Sequence, residues 1–324
     1  MSPIRMKHWE VIAPGALTTV QDRGREGWRH LGVARAGALD LDAATLANEL
    51  LGNDAGAAVL ELSLQGPTLR LLQPATIAIT GATVMATSNG IALPGHRPIT
   101  VPAGELKLTG IRAGIRAWLA VAGGFDVPPL MGSRSTDLRG GFGGMEGRAL
   151  RAGDRLPVAT SRTAEIAAPR IAAWWIGSDD THSSRQHPIR FVASASASAH
   201  APAFAGRPWQ VSSYSNRQGI RLQGEALADA GQGRVSEPVA IGSIQLPPDG
   251  QPIVLLADAQ TVGGYALLGH VIAADLPRLA QAGPGATLVF APVGIDEARS
   301  IGLRHRQQQA RIALAIRQRL AMRS

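Results

Sequence analysis

The chain has no cysteine in its 324 residues, which excludes disulfides, thiolate nucleophiles and cysteine-ligated zinc. Lysine is almost as scarce, occurring only as Lys7 and Lys107. A nucleotide P-loop needs Gly-Lys-Ser/Thr, and neither lysine stands in one. Lys7 lies in Met6-Lys7-His8 with no carrier sequence around it, so no biotin is expected on this chain. Lys107 alternates with Leu106 and Leu108, as on the solvent face of a strand. Lysine nucleophiles and Schiff bases are therefore not expected. Aromatic residues make up only 4% of the chain, which leaves few platforms for stacking bases. The basic residues behind the net charge of +8 are dispersed, apart from a C-terminal group from Arg299 to Arg323, so no nucleic-acid partner is expected. No apolar run approaches a membrane span and Met1–Glu10 has no apolar leader-like core. The expectation is a cytoplasmic protein without a membrane partner. The eight histidines include no i, i+4 pair beside an acid, and no metal is expected.

Abundant turn formers stand in contrast to these gaps. With 38 Gly and 21 Pro, the chain breaks into short apolar or alternating runs, the pattern of a mainly β protein. Strands are expected at 58–64, 68–72, 76–80, 105–111, 116–122, 189–193, 209–213, 219–222, 252–257 and 286–290. Helices are few. Leu41–Leu51 has Asp40 or Asp42 as N-cap and Gly52-Asn53 as its stop, 274–282 is a short candidate, and 296–322 carries Ile312, Ile316 and Leu320 at four-residue spacing. The polar, Ala-rich stretch 157–169 suggests an N-terminal domain over 1–160, a C-terminal domain over 170–295 and a basic C-terminal helix over 296–324. The Ser-Ala repeat at 194–201 reads as a loop.

Four polar, Gly-rich segments stand out: Thr19–Arg25, Gly132–Gly144, Ser215–Leu222 and Gly242–Pro252, the last running on to Tyr265. Strand alternation over Asn216–Leu222 would put Arg217, Gly219 and Arg221 on one face, with the two arginine Cα atoms ~13 Å apart. Two guanidiniums so placed can flank an anion, and Asn216 offers the donors and acceptor that an amide-like ligand requires. The alternative is a solvated arginine face. Asp258 and Gln260, ahead of Gly263-Gly264, can orient a lactam N–H or a water, or Asp258 can merely close a turn. Gly140–Gly144 after Arg134 and Arg139 suggests an anion nest. Gln21, Asp22 and Arg23 could line the same cleft, but read first as a salt-bridged turn.

Taken in order from about Gly15 to Phe290, these segments resemble the family of KipA and the C-type 5-oxoprolinase subunit, also called allophanate hydrolase subunit 2 or the biotin-dependent carboxyltransferase family. Ser215-Asn216-Arg217-x-Gly219-x-Arg221-Leu222 and Asp258-x-Gln260-Thr261-x-Gly263-Gly264-Tyr265 are its most specific parts. The resemblance implies tandem cyclophilin-like β-barrel domains. It also implies two partners, a KipI-like protein (the B-type 5-oxoprolinase subunit) and an A-type subunit of the LamB/YcsF kind. The implied reaction is ATP-dependent opening of the 5-oxoproline lactam to glutamate, with ATP shared with partner subunits. The homologous part of urea carboxylase instead moves a carboxyl group from biotin to urea, and a KipA-type protein antagonises a histidine-kinase inhibitor. Similarity to urea carboxylase marks Asn216 as the first substrate contact. The expected catalytic set is Asn216, Arg217, Arg221 and Asp258. Gln245, Gln260, Thr261, Gly263, Gly264, Arg134 and Ser135 are the expected substrate-binding residues.

Overall fold

The computed structural model describes residues 7–159, 164–177, 187–195, 201–227 and 235–322. The chain divides into two compact bodies, one made of Met1–Arg25, Ala36–Asp179 and Arg311–Ser324, the other of Glu26–Arg35 and Asp180–Ala310. These limits differ from those read off composition. Residues beyond the Ala-rich stretch still belong to the first body, because Arg170–Ile171 pairs with Ile99–Val101 and Trp174 and Ile176 pack on its helices. A polar, Ala-rich composition marks irregular backbone, not the place where contacts end.

In the first body, ten strands form one antiparallel sheet around Ala75–Ser88 and Gly104–Val121. The two runs expected at 105–111 and 116–122 are one 18-residue strand. Its first half pairs with Thr68–Leu71 and its second with Val59–Ser63. That change of partner needs the sheet to bend, and register shifts against Ala75–Ser88 fall at Gly81/Thr83 and Val84/Ala86. Gly81 has φ 84°, and a Cβ there would stand 2.7 Å from the Trp118 ring, so only glycine fits the bend. Leu60, Leu62, Leu69, Leu106, Leu108 and Leu119 fill the core between the sheet layers. Lys107 is exposed, on the solvent side of its strand as its alternation predicts.

The opposite face of Val59–Ser63 is also buried, beneath helix Leu41–Glu49. Asp40 is the N-cap, its carboxylate accepting the Ala43 N–H at 2.9 Å. Beside it, buried Glu61 accepts the Leu39 amide at 2.8 Å and the Trp118 indole at 3.2 Å. The C-terminal helix runs Ile295–Ala321. Its Ile312, Ile316 and Leu320 stripe packs against Leu46, Leu50, Leu51 and Ala78 of the first body.

In the second body, seven strands close a barrel in the order Ile189–Ala193, Ala266–Val271, Ser243–Leu246, Ile253–Leu255, Gly219–Gln223, Pro208–Val211, Thr287–Pro292. Parallel pairing of Ile189 with Phe290 completes the ring. Phe204 packs against Phe191, Trp209 and Phe290 with centroids 4.7–5.5 Å apart. Outside the barrel, Leu276–Ala280 forms the short helix expected near 274–282, and Asp275 grips the Arg190 guanidinium at 2.6 and 3.0 Å.

Burial pushes the Asp40 carboxyl up to about 7, against the pull of its Ala43 hydrogen bond and with the charges of Asp42 and Glu61 adding to the rise. The folded chain therefore holds this proton more tightly than the unfolded chain does. Its contribution to stability is complete below the ordinary carboxylate range and is lost as pH climbs towards about 7, at up to about 1.4 kcal/mol per pH unit. Asp40→Asn keeps a capping acceptor and removes the titration. Thermal melts should show the variant gaining on the wild type as pH rises and a flatter midpoint profile. Parallel profiles would contradict this account of Asp40.

Candidate functional site

The turn 212–218 joins two barrel strands and carries the Asn-Arg pair of the expected site. Asn216 closes it, its Oδ1 accepting the Gln218 N–H at 2.8 Å while its own N–H meets the Gly219 carbonyl at 3.1 Å. Both Asn216 and Arg221 are exposed. Arg217 points the other way. The strand begins only at Gly219, so Arg217 lies outside its alternation and does not share a face with Arg221. This corrects the expectation of two guanidiniums flanking one anion. Arg217 is 4% exposed and bonds both oxygens of Asp258, itself 2% exposed, at 2.9 and 3.0 Å. The Asp258 N–H returns a bond to the Arg217 carbonyl at 3.1 Å, and the Leu256 N–H bonds that of Gln218 at 2.9 Å. Asp258 is therefore neither a lone base nor a simple turn carboxylate. It is half of a bidentate buried ion pair that fixes segment 256–258 to turn 212–218.

Beyond that anchor the chain crosses the outer face of the barrel. Ala259 joins Val239 and Leu255 in a small apolar cluster with Ile253 alongside. Thr261 is buried and its carbonyl accepts the Val239 N–H at 3.0 Å, while Val262 and Gly263 pair with Pro238 and Glu237. Beneath lies Gln245 on strand Ser243–Leu246, 1% exposed. Gln260 donates to its Oε1 at 3.5 Å, and a Cβ on Gly263 would stand 2.3 Å from its Nε2. Gln245, Gln260, Thr261 and Gly263 are thus brought together, with Gly264 exposed next to them. Arg29 also reaches this region, donating to the Val239 carbonyl. Burial lowers its pKa, and Arg35 adds to that. Sequence reading missed Arg29, because nothing local ties residue 29 to residue 239.

Arg134 and Ser135 belong to the first body. Ser135 is fully buried, its hydroxyl donating to Asp22 at 2.5 Å and accepting the Asp22 N–H at 2.9 Å. Asp22 also takes the Ser133 hydroxyl, the Gly24 N–H and the Arg134 N–H at 2.6–2.7 Å. It organises the loop through hydroxyls and amides, in place of the expected salt-bridged turn. Arg25, buried beneath, donates to the Ser135 carbonyl and lies 4.7 Å over the Phe142 ring. The Arg134 side chain bonds the Val127 carbonyl at 2.8 Å.

The expected anion nest is filled from within. The Asp137 carboxylate accepts the Arg139 and Gly140 amides at 3.1 and 2.8 Å, and its carbonyl accepts those of Gly141 and Phe142 at 2.9 and 3.4 Å. Amides so engaged do not fit a nucleotide phosphate.

Removing Arg217 would strip the buried Asp258 charge of its bidentate partner, which costs about 3–5 kcal/mol. Arg217→Met should therefore destabilise the chain strongly in denaturant titration. The double variant Arg217→Met/Asp258→Leu should recover most of the loss. A mild single variant would contradict the buried pairing.

Residues 31–292 match the model of the carboxyltransferase domain, subdomain A and B. The chain is 40% identical over 304 residues to the C-type 5-oxoprolinase subunit of Escherichia coli (strain K12), covering 93% of this chain and 95% of that protein. It is 36% identical to the C-type 5-oxoprolinase subunit of Haemophilus influenzae, covering 90% of this chain and 93% of that one. The crystal structure of the K. lactis urea amidolyase superposes with a TM-score of 0.83 at 29% identity, covering 96% of this chain but 20% of that one. The chain thus spans nearly all of the two bacterial proteins and about a fifth of the larger amidolyase.

Proposed function

The chain belongs to the carboxyltransferase domain family, subdomain A and B, and on that premise we propose that it is the C-type subunit of a multi-subunit, ATP-dependent 5-oxoprolinase. The single observation that carries this reading is the 40% identity to a protein of that name, along almost the full length of both chains. The enzyme hydrolyses the 5-oxoproline lactam to glutamate. This chain works only with its partners, a KipI-like protein of the B type and a LamB/YcsF-type protein of the A type. We further propose a cytoplasmic location and domains of cyclophilin-like fold.

ATP belongs to the complex and not to the Gly-rich turn of this chain, whose amides Asp137 already occupies. What this chain supplies is amide recognition. Asn216 and Arg221 are exposed on the segment 215–221. Arg221 there offers a cation for the substrate carboxylate and Asn216 an amide for its lactam edge. Arg217 and Asp258 contribute by holding that turn and the 256–265 segment in place. Gln245, Gln260, Thr261, Gly263 and Gly264 form the second part of the site. Arg134 and Ser135 order their own loop in the first body around Asp22.

Mixing the three purified subunits with ATP and 5-oxoproline should release glutamate. Arg221→Ala, at an exposed position, should cut turnover about tenfold or more without lowering the thermal midpoint, and Asn216→Ala should do the same with only the small midpoint loss of its turn hydrogen bond. An inactive complete complex would reject the reading, and full activity of both variants would reject these two residues. The likeness to urea amidolyase supports a second reading, a carboxyltransferase half acting on urea. Urea-dependent discharge of carboxybiotin, with no glutamate released, would select it.

A further inference from the structure

The side-chain amide of Gln245 stands in an incomplete hydrogen-bonding state. It is 1% exposed. Its Oε1 receives only the long 3.5 Å bond from Gln260, and its Nε2 has no hydrogen-bond partner among the described residues. Leaving such a donor buried and unmatched costs about 1–3 kcal/mol. Gln21 Oε1 and Trp174 Nε1 are in the same state, and Gln245 is set apart by its place against Gln260 and Gly263. Its cross-strand partner Ile253 is apolar, and so is Val239, which stands against Gly263 over the amide.

The backbone of residue 263 lies directly against the amide. A Cβ on Gly263 would meet Nε2 at 2.3 Å and the Val239 side chain at 3.3 Å, so the lid can lie down only because residue 263 has no side chain. Its outer surface faces solvent, with Val262 53% and Tyr265 48% exposed. The lid is tied at one end by the Arg217–Asp258 pair and along its edge by the short pairing to Glu237–Pro238. Gly263-Gly264 supplies backbone freedom at the other end.

We propose that Gln245 is the group that reads the substrate amide, and that the Thr261–Tyr265 strip is a lid that lifts to admit the ligand. This rests on the function proposed above and makes it more specific. A primary carboxamide presents one donor and one acceptor side by side. A lactam is a cis amide, and its C=O and N–H lie side by side in the complementary order. The two can therefore close a cyclic pair of hydrogen bonds, Gln245 Nε2–H to the lactam oxygen and lactam N–H to Gln245 Oε1. A trans secondary amide, with its N–H and C=O on opposite sides, cannot. The site thereby selects lactams and ureas over ordinary peptide bonds. Gln260 gives up its weak bond in the exchange.

The test uses the assembled complex. Gln245→Leu should raise the KM for 5-oxoproline about tenfold or more, while the thermal midpoint of the chain stays level or rises, because an unmatched buried polar group has been removed. An unchanged KM, or a lowered midpoint with proportionate loss of all activity, would overturn the proposal. With only this chain isotope-labelled, the NMR resonance of the Gln245 side-chain NH2, assigned by its loss in the variant, should shift on adding 2-pyrrolidone or urea. N-methylacetamide, a trans amide, should leave it in place. This second readout separates two failures. If the wild-type complex does not turn over 5-oxoproline, the function reading falls, while a shift with 2-pyrrolidone still upholds the Gln245 site. No shift with either cis-type probe overturns the site even in an active complex.

Discussion

The geometry of the second body's outer face depends on one buried ion pair. Arg217 and Asp258 are each almost inaccessible and meet in a bidentate bond. Taking two charges out of water is expensive, so the pair persists only where both ends are rigidly presented. Turn 212–218 and segment 256–258 provide that rigidity through reciprocal backbone bonds. From there the chain runs on to place Gln260 and Gly263 against Gln245. The exposed positions of Asn216 and Arg221 and the covered position of Gln245 both follow from where that pair sits.

In the first body, Asp22 and Asp137 organise loops through hydroxyls and amides. Asp22 gathers hydroxyls and amides from Ser133, Arg134, Ser135 and Gly24. Asp137 takes in the amides of the Gly-rich turn that follows. Each satisfies backbone donors that would otherwise seek a ligand, which is why a segment that looks like an anion nest in sequence is closed in three dimensions. Asp40 caps a helix at a cost, since its charge is buried and its proton correspondingly tightly held.

Much of the architecture was legible from local pattern. Alternating runs between glycines and prolines marked nine of the nineteen strands among the described residues, while Lys7–Ala13, Leu17–Gln21, Ser243–Leu246 and Ala266–Val271 went unmarked. Asp40 and Gly52 marked the ends of the first helix, and the four-residue spacing of Ile312, Ile316 and Leu320 marked the face of the last one that packs. Two features escaped because they are not local. Whether 105–111 and 116–122 are two strands or one is settled by partners elsewhere in the sheet. The extent of each body is settled by pairings such as Arg170 with Thr100.

The residue types of the site were equally legible, since Asn216, Arg217, Arg221, Gln245, Asp258 and Gln260 all stand in polar, Gly-rich phrases. Sequence by itself determined the chemistry available: no thiol, two lysines in unsuitable settings, and guanidiniums far outnumbering ammonium groups. Only the tertiary structure decided which of these groups face solvent and which face each other. Period-two alternation holds only inside a strand, and Arg217 lies two residues before one. Its direction was set by a carboxylate 41 residues away, a distance across which no local periodicity carries information.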